Sequence, residues 1–161
     1  MKRILLVLIA LSTTLGSCKK YLNTEPTDFL AEKDYYDTQA DLNVALAGVY
    51  QPLGHSRLYG SALFSEFGAA NDQAHIRWSY TTTGVAVNDF DSGSQLVNEY
   101  WKWAYIGIER ANVLLDHINL ATMSDVERNV VRGETLFLRA YYHFLLVSYF
   151  GDIPLKTKRT P

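Results

Sequence analysis

The stretch Ser124–Pro154, SDVERNVVRGETLFLRAYYHFLLVSYFGDIP, decides the fold. Val126, Val130, Gly133, Phe137, Ala140, Phe144 and Val147 recur in steps of four and three, the period of an α-helix with one apolar stripe. Ser124 and Glu127 stand three apart, the spacing of a capping box, so the helix starts there. Gly151 and Pro154 end it. Immediately upstream, Val97, Trp101, Ala104, Ile108, Ala111, Leu115 and Ile118 repeat the same pattern and predict a partner helix. Small residues punctuate both stripes, Ala104 and Ala111 on one and Gly133 and Ala140 on the other. They are expected to let the two helices approach closely. The short link Asn119–Met123 favours antiparallel neighbours.

Further out the signals weaken. Leu42, Leu46, Val49 and Leu53 predict a helix over about 38–53, with Thr38 and Asp41 at its start and Gly54 at its stop. A weaker helix is expected over 59–70. Residues 81–95, with their threonine run, Gly84, Asn88, Asp89, Asp91 and Gly93, read as a long polar loop. No strand pattern of any length appears, so the fold class is all-α. The paired helices look like one tetratricopeptide-like unit, although no second copy recurs at a fixed period.

The N-terminus has a separate logic. Lys2 and Arg3 precede an apolar run from Ile4 to Leu11, and Leu15-Gly16-Ser17-Cys18 follows. A positive start, a short apolar core and small residues near a cleavage point make a secretory signal. Eight apolar residues fall well short of the roughly 20 that span a bilayer. Leu15 to Cys18 resembles the lipobox of bacterial lipoproteins, in which the thiol receives the lipid. Cys18 is the only cysteine, so no disulfide within the chain explains it. Each buried CH2 adds about 0.8 kcal/mol, so several acyl chains anchor durably. The expected division is a signal peptide over 1–17, lipidated Cys18 with a tether over 18–33, and a helical domain over 34–161.

Size and charge exclude some classes. About 144 residues remain after cleavage, enough for one domain with a core. A net charge of −2 implies no nucleic-acid partner. His55, His75, His117 and His143 are scattered without metal-ligand spacing, so no metal site and no cofactor are expected. Glu66, Asp72, Asp89 and Asp91 lie in polar sequence, and nothing fixes a pair of them about 5–10 Å apart as a glycosidase requires. No phosphate loop or nucleophile elbow is present. No catalytic residue is assigned, and the chain is not expected to be an enzyme.

Four stretches together resemble the SusD/RagB family of nutrient-binding outer-membrane lipoproteins. They are Ser17–Pro26 (SCKKYLNTEP), Ala45–Tyr50 (ALAGVY), Ile108–Leu114 (IERANVL) and Arg139–Leu155 (RAYYHFLLVSYFGDIPL). The resemblance spans the mature chain but only the N-terminal portion of the family's fold, so a truncated member is expected, with Lys156–Pro161 as a polar loop. It implies a lipid-anchored, surface-exposed protein of the outer membrane. That protein would bind an oligosaccharide or polysaccharide, or in some members a peptide. It would pass the ligand to a SusC-like TonB-dependent transporter without making or breaking a bond. Outward display rests on the resemblance alone, because Lys19 and Lys20 follow the cysteine and the first acid is Glu25. The alternative class is a tetratricopeptide-like scaffold lipoprotein that binds only proteins.

Within that resemblance, residues 66–78 match loosely the place of an acidic–small–small–Asp element that feeds the ligand face. Asp72 and Arg77 offer a charged acceptor and a forked donor for sugar hydroxyls. Trp78 and Tyr80 offer flat faces for a pyranose ring. The competing expectation is that Trp78 packs in the core and Arg77 pairs with a carboxylate. Trp101, on the apolar stripe, is expected in the core. Trp103 lies off it, to be packed by another helix or by the C-terminal part of the family's fold. Tyr141, Tyr142 and Tyr149 are expected to pack with one polar tip satisfied.

Overall fold

Residues 35–74 and 83–160 are described in the structure, a computed structural model, and among them three α-helices carry the fold. Contacts divide the chain at Tyr35–Tyr36, and everything below concerns the unit from Tyr36 onward. Helix α1 spans Gln39–Tyr50, α2 spans Gln95–His117 and α3 spans Asp125–Phe150. Between α1 and α2 the described residues make short turns, at Gln51–Gly54, Leu63–Phe67 and Val85–Val87. Of the helix expected over 59–70, only the one-turn Leu63–Phe67 segment forms. The fold is all-α: no strand occurs among the described residues beyond two isolated bridges.

The starts of α1 and α3 form as the sequence dictates. Thr38 accepts from the Asp41 amide while Asp41 reaches back to the Thr38 amide and hydroxyl. Ser124 and Glu127 make the same reciprocal pair. These bonds satisfy donors that the first helical turn would otherwise leave open. Arg128 then ties the ends of the hairpin together, donating to the Ile118, Ala121 and Met123 carbonyls at 3.1, 3.2 and 3.2 Å.

Cross-helix pairs fix the topology. Tyr100 meets Leu145, Gly107 meets Tyr142, Asn112 meets Arg139, and Ile118 meets Arg128. The numbers run in opposite senses, so α2 and α3 are antiparallel. Gln39 reaches Glu127 and Tyr50 reaches Glu134, which sets α1 parallel to α3. Arg110 closes the end of α1 by donating to the Gly48 carbonyl and the Gln51 side chain.

The core sits between the three helices. Leu42, Leu46 and Val49 of α1 are buried, as are Ala104, Ile108 and Ala111 of α2 and Ile118 at its C-cap. Those positions were expected to be inside.

Helix α3 is turned the other way. Val126, Val130, Gly133, Phe137, Ala140, Phe144 and Val147 are all exposed, with Val126 76%, Phe137 67% and Phe144 60% open to solvent. The buried set is Val131, Thr135, Leu138, Tyr142, Leu145 and Leu146. At 100° per residue the two stripes lie on nearly opposite sides. The inward stripe contains two polar groups, and both are satisfied inside: Thr135 donates to the Val131 carbonyl and Tyr142 to the Val49 carbonyl, each at 2.7 Å. The close approach of α2 to α3 therefore uses Gly107 rather than Gly133 or Ala140. The Tyr142 ring lies flat against Gly107, where a Cβ would meet it at 2.3 Å.

Candidate ligand-binding cleft

The last turn of α3 and the first turns of α2 end in aromatic side chains that do not fill the space between them. The result is a cleft of about 840 Å³, within the range of small-molecule sites. Trp101 and Val97 of α2 form one wall, Tyr149 and Phe150 of α3 another, and Phe67 with Ala70 a third. The loop over 85–92 supplies the rim through Asn88, Phe90, Asp91 and Ser92, and Asn98 adds a further amide.

The walls are held by ring-on-ring contacts. Trp101 stands edge-on to Phe150 at 5.0 Å, and Phe67 meets Tyr149 at 4.8 Å. Behind them Tyr100 is fully buried and touches Phe67, Tyr149 and Phe150. Burial pushes its phenol far above the usual range, with the neighbouring Tyr149 adding to the effect. The rim is shaped by its backbone. Gly84 and Asp89 pair across a tight turn, with Gly84 at φ 108° and Asn88 at φ 55°, both in the left-handed region. Val85 is buried beneath that turn while Phe90 is left half exposed above it. Asp91 accepts from the Gly93 amide at 2.8 Å, and Asn98 donates to the Ser92 carbonyl at 3.3 Å. A shallower hollow of about 360 Å³ continues along Thr83, Gly84, Asp89 and Ser94.

Flat apolar rings below and amides with a carboxylate above suit a ligand with apolar faces and a hydroxylated edge. A sugar ring has that character: its C–H faces lie on aromatic rings, and its hydroxyls both donate and accept. Among the described residues, no cluster of three or more His, Cys, Asp or Glu side chains could hold a metal. No described helix is long and apolar enough to cross a membrane.

The residues chosen from sequence fare differently. Asp72 is exposed in the turn after Ala70 and does not line the cleft. Cys18, Arg77, Trp78 and Tyr80 lie outside the described residues. Trp101, expected in the core, is half-buried and forms a cleft wall instead. Tyr149 is likewise 47% exposed on the cleft. Tyr142 packs with its hydroxyl satisfied, as expected. Trp103 stacks on His55 at 3.7 Å and donates to Glu99. Sequence reasoning passed over Phe67, Phe90, Asn88 and Asn98. Phe90 did carry a signal, because it is an aromatic flanked on both sides by polar residues, Asn88-Asp89 and Asp91-Ser92, in a turn-rich loop.

A family model described as SusD-like, starch-binding and associating with the outer membrane, matches residues 20–161. The chain belongs to the SusD-like family. SusD-like protein P2 of Formosa agariphila is 31% identical over 158 residues, and the match covers 96% of this chain and 31% of that protein. SusD-like proteins P25 and P38 of the same organism are 25% and 28% identical, with 96% and 95% of this chain covered. The chain thus spans about a third of the length of these relatives. No solved structure matches it significantly.

Two of the SusD-like stretches, 108–114 and 139–155, meet in space on one task. They hold the segment after α3 in the groove beside α2. Asn112, buried, donates to the Lys156 and Lys158 carbonyls at 3.3 and 3.0 Å and accepts from Arg139 at 2.9 Å. Arg139 also donates to the Thr157 carbonyl, and Glu109 accepts from the Thr160 amide and hydroxyl. His143 accepts from the Lys156 amide at 3.3 Å. The stretch expected as a loose polar loop is, through Thr160, an ordered strap. Most of its bonds are to backbone, so the clamp dictates its path more than its sequence.

Proposed function

We infer that this chain is the helical, ligand-capturing part of a lipid-anchored outer-membrane binding protein. It takes up an oligosaccharide or polysaccharide, or another nutrient with similar hydroxylated rings, and delivers it to a SusC-like TonB-dependent transporter. The observation that carries this is the cleft walled by Phe67, Trp101, Tyr149 and Phe150 and rimmed by Asn88, Asp91 and Asn98. The family's description as starch-binding supports the ligand class. Capture without turnover is the action proposed.

In this reading residues 1–17 direct export, Cys18 carries the lipid, 18–33 tether the domain and 34–161 form it. Asp72, Arg77, Trp78 and Tyr80 are proposed as additional ligand contacts on the chemistry of their side chains. Replacing Cys18 with alanine is expected to release the protein from membrane fractions; retention there would refute lipidation.

The ligand claim is tested by screening the chain on a glycan array and titrating the hits against Phe90→Ala. Loss of affinity by about tenfold or more, with helicity unchanged, is expected. If no saccharide binds, the protein-binding scaffold replaces this reading.

A further inference from the structure

The walls of the cleft are neutral, but its rim has a sign. Among the described residues that line the cleft or the hollow beside it, Asp89 and Asp91 carry charge, and no lysine, arginine or histidine joins them. The sequence accounts for this, because residues 78–101 hold three acids, Asp89, Asp91 and Glu99, and no basic residue. Glu99 is answered by Lys102, which pairs with it at 3.3 Å. Asp89 and Asp91 form no ion pair with any described residue. The arginines of α2 and α3 are engaged away from the cleft. Arg110 closes α1, Arg128 and Arg132 tie the α2–α3 connection, and Arg139 grips the strap.

The helix dipoles do not reverse this sign. Helix α2 begins at the cleft and α3 ends there, with Val97 and Asn98 in the first turn of one and Tyr149 and Phe150 in the last turn of the other. A helix N-terminus carries about +0.5 of a charge and a C-terminus about −0.5, so the two offset. The full carboxylates remain. Asp91 lines both the cleft and the hollow, so it stands where they meet. Its Oδ1 accepts from the Gly93 amide at 2.8 Å, which holds the side chain in place. A carboxylate only accepts, so it binds hydroxyls well and meets a second anion with repulsion and no bridging donor. Charges act over about 8 Å at physiological ionic strength. That reach is close to the span of a cavity of about 840 Å³, so a ligand seated there feels the rim.

We propose that the cleft selects uncharged glycans and rejects uronate and sulfated ones, with Asp91, supported by Asp89, setting that selectivity. The selectivity rests on the capture reading above and adds to it a class of ligand. Trp101, Tyr149 and Phe150 take a flat ring face whatever substituent the ring carries, so they do not discriminate. Discrimination falls to the rim, where Asn88, Ser92 and Asn98 are neutral and Asp91 supplies the charge.

The test titrates the chain by calorimetry with neutral hexasaccharides of glucose, xylose and mannose, and with hexamers of galacturonate, alginate and chondroitin sulfate. Binding is expected in the neutral set, with the anionic set weaker by about tenfold or more. Asp91→Asn with Asp89→Asn should narrow that gap by about fivefold. So should salt at about 1 M, which shortens the screening length to about 3 Å. The asparagine oxygen can still accept from the Gly93 amide, and the salt series reads the same charge in the unaltered chain. Anionic hexamers that bind as tightly as neutral ones would overturn the selectivity and leave capture standing. A gap that neither salt nor the substitutions change would do the same. Binding by neither set would overturn both. A preference for the anionic set, lost in Arg77→Gln, would overturn the selectivity by giving the site's charge to that arginine.

Discussion

A Cβ added at Gly107 would lie 2.3 Å from the Tyr142 ring, and the ring cannot easily retreat, because its hydroxyl is bonded to the Val49 carbonyl. Glycine to alanine within a helix ordinarily gains about 0.5–1 kcal/mol. At this position overpacking of about 1–3 kcal/mol outweighs that gain. Gly107→Ala is therefore expected to lower the melting temperature. Gly133→Ala, in open space on the same helix pair, is expected to raise it. Thermal unfolding of the two variants checks this, and equal effects would contradict the assigned faces. Trp101 illustrates the limit of residue-level reading. Its place on the apolar stripe of α2 was plain from spacing, but its neighbours fall short of enclosing it, and that depends on a loop remote in sequence.

At the scale of the element, α3 was legible in extent and not in orientation. Ser124 and Glu127 announced its start and Gly151 its stop, and the structure keeps both. The stripe read from its periodicity is the outward one, which is the more uniformly apolar. The inward one contains Thr135 and Tyr142, which read as polar until their bonds to the Val131 and Val49 carbonyls are seen. Periodicity reports that a face can be buried; which face is buried depends on the available partners. The cap itself has a pH signature. The Ser124 hydroxyl, then the Gln39 amide, hold the Glu127 carboxyl below its ordinary value. A lowered value in the folded state means the stabilisation is full above the ordinary carboxylate range and is lost as pH falls through the folded value. Amide protection at the start of α3, taken relative to the intrinsic exchange rate at each pH, is expected to fall on acidification in the native chain. It should lose that dependence in Glu127→Gln.

At the scale of the whole molecule, the three helices, the antiparallel pairing of α2 with α3 and the family were readable because capping, spacing and four quoted stretches agreed. The cleft was not readable, since it forms where the 85–92 loop, the 67–70 turn and the ends of α2 and α3 converge. These segments are brought together by the α2–α3 pairing. The strap from 156 to 160 escaped for a similar reason: Glu109, Asn112 and Arg139 grip its backbone, leaving no pattern in the strap's own side chains. The same molecule thus presents a cleft suited to hydroxylated rings at one end of α3 and an uncharged face along its outer side. Capture in the cleft is the central claim, and Trp101 reports on it directly. Titrating a glycan identified on the array should change tryptophan emission saturably in the unaltered chain, and in Trp101→Phe the change should shrink to whatever the proposed contact Trp78 contributes, with Trp103 as the internal reference. Saturable emission changes of equal size in both proteins would place the ligand elsewhere and contradict the account.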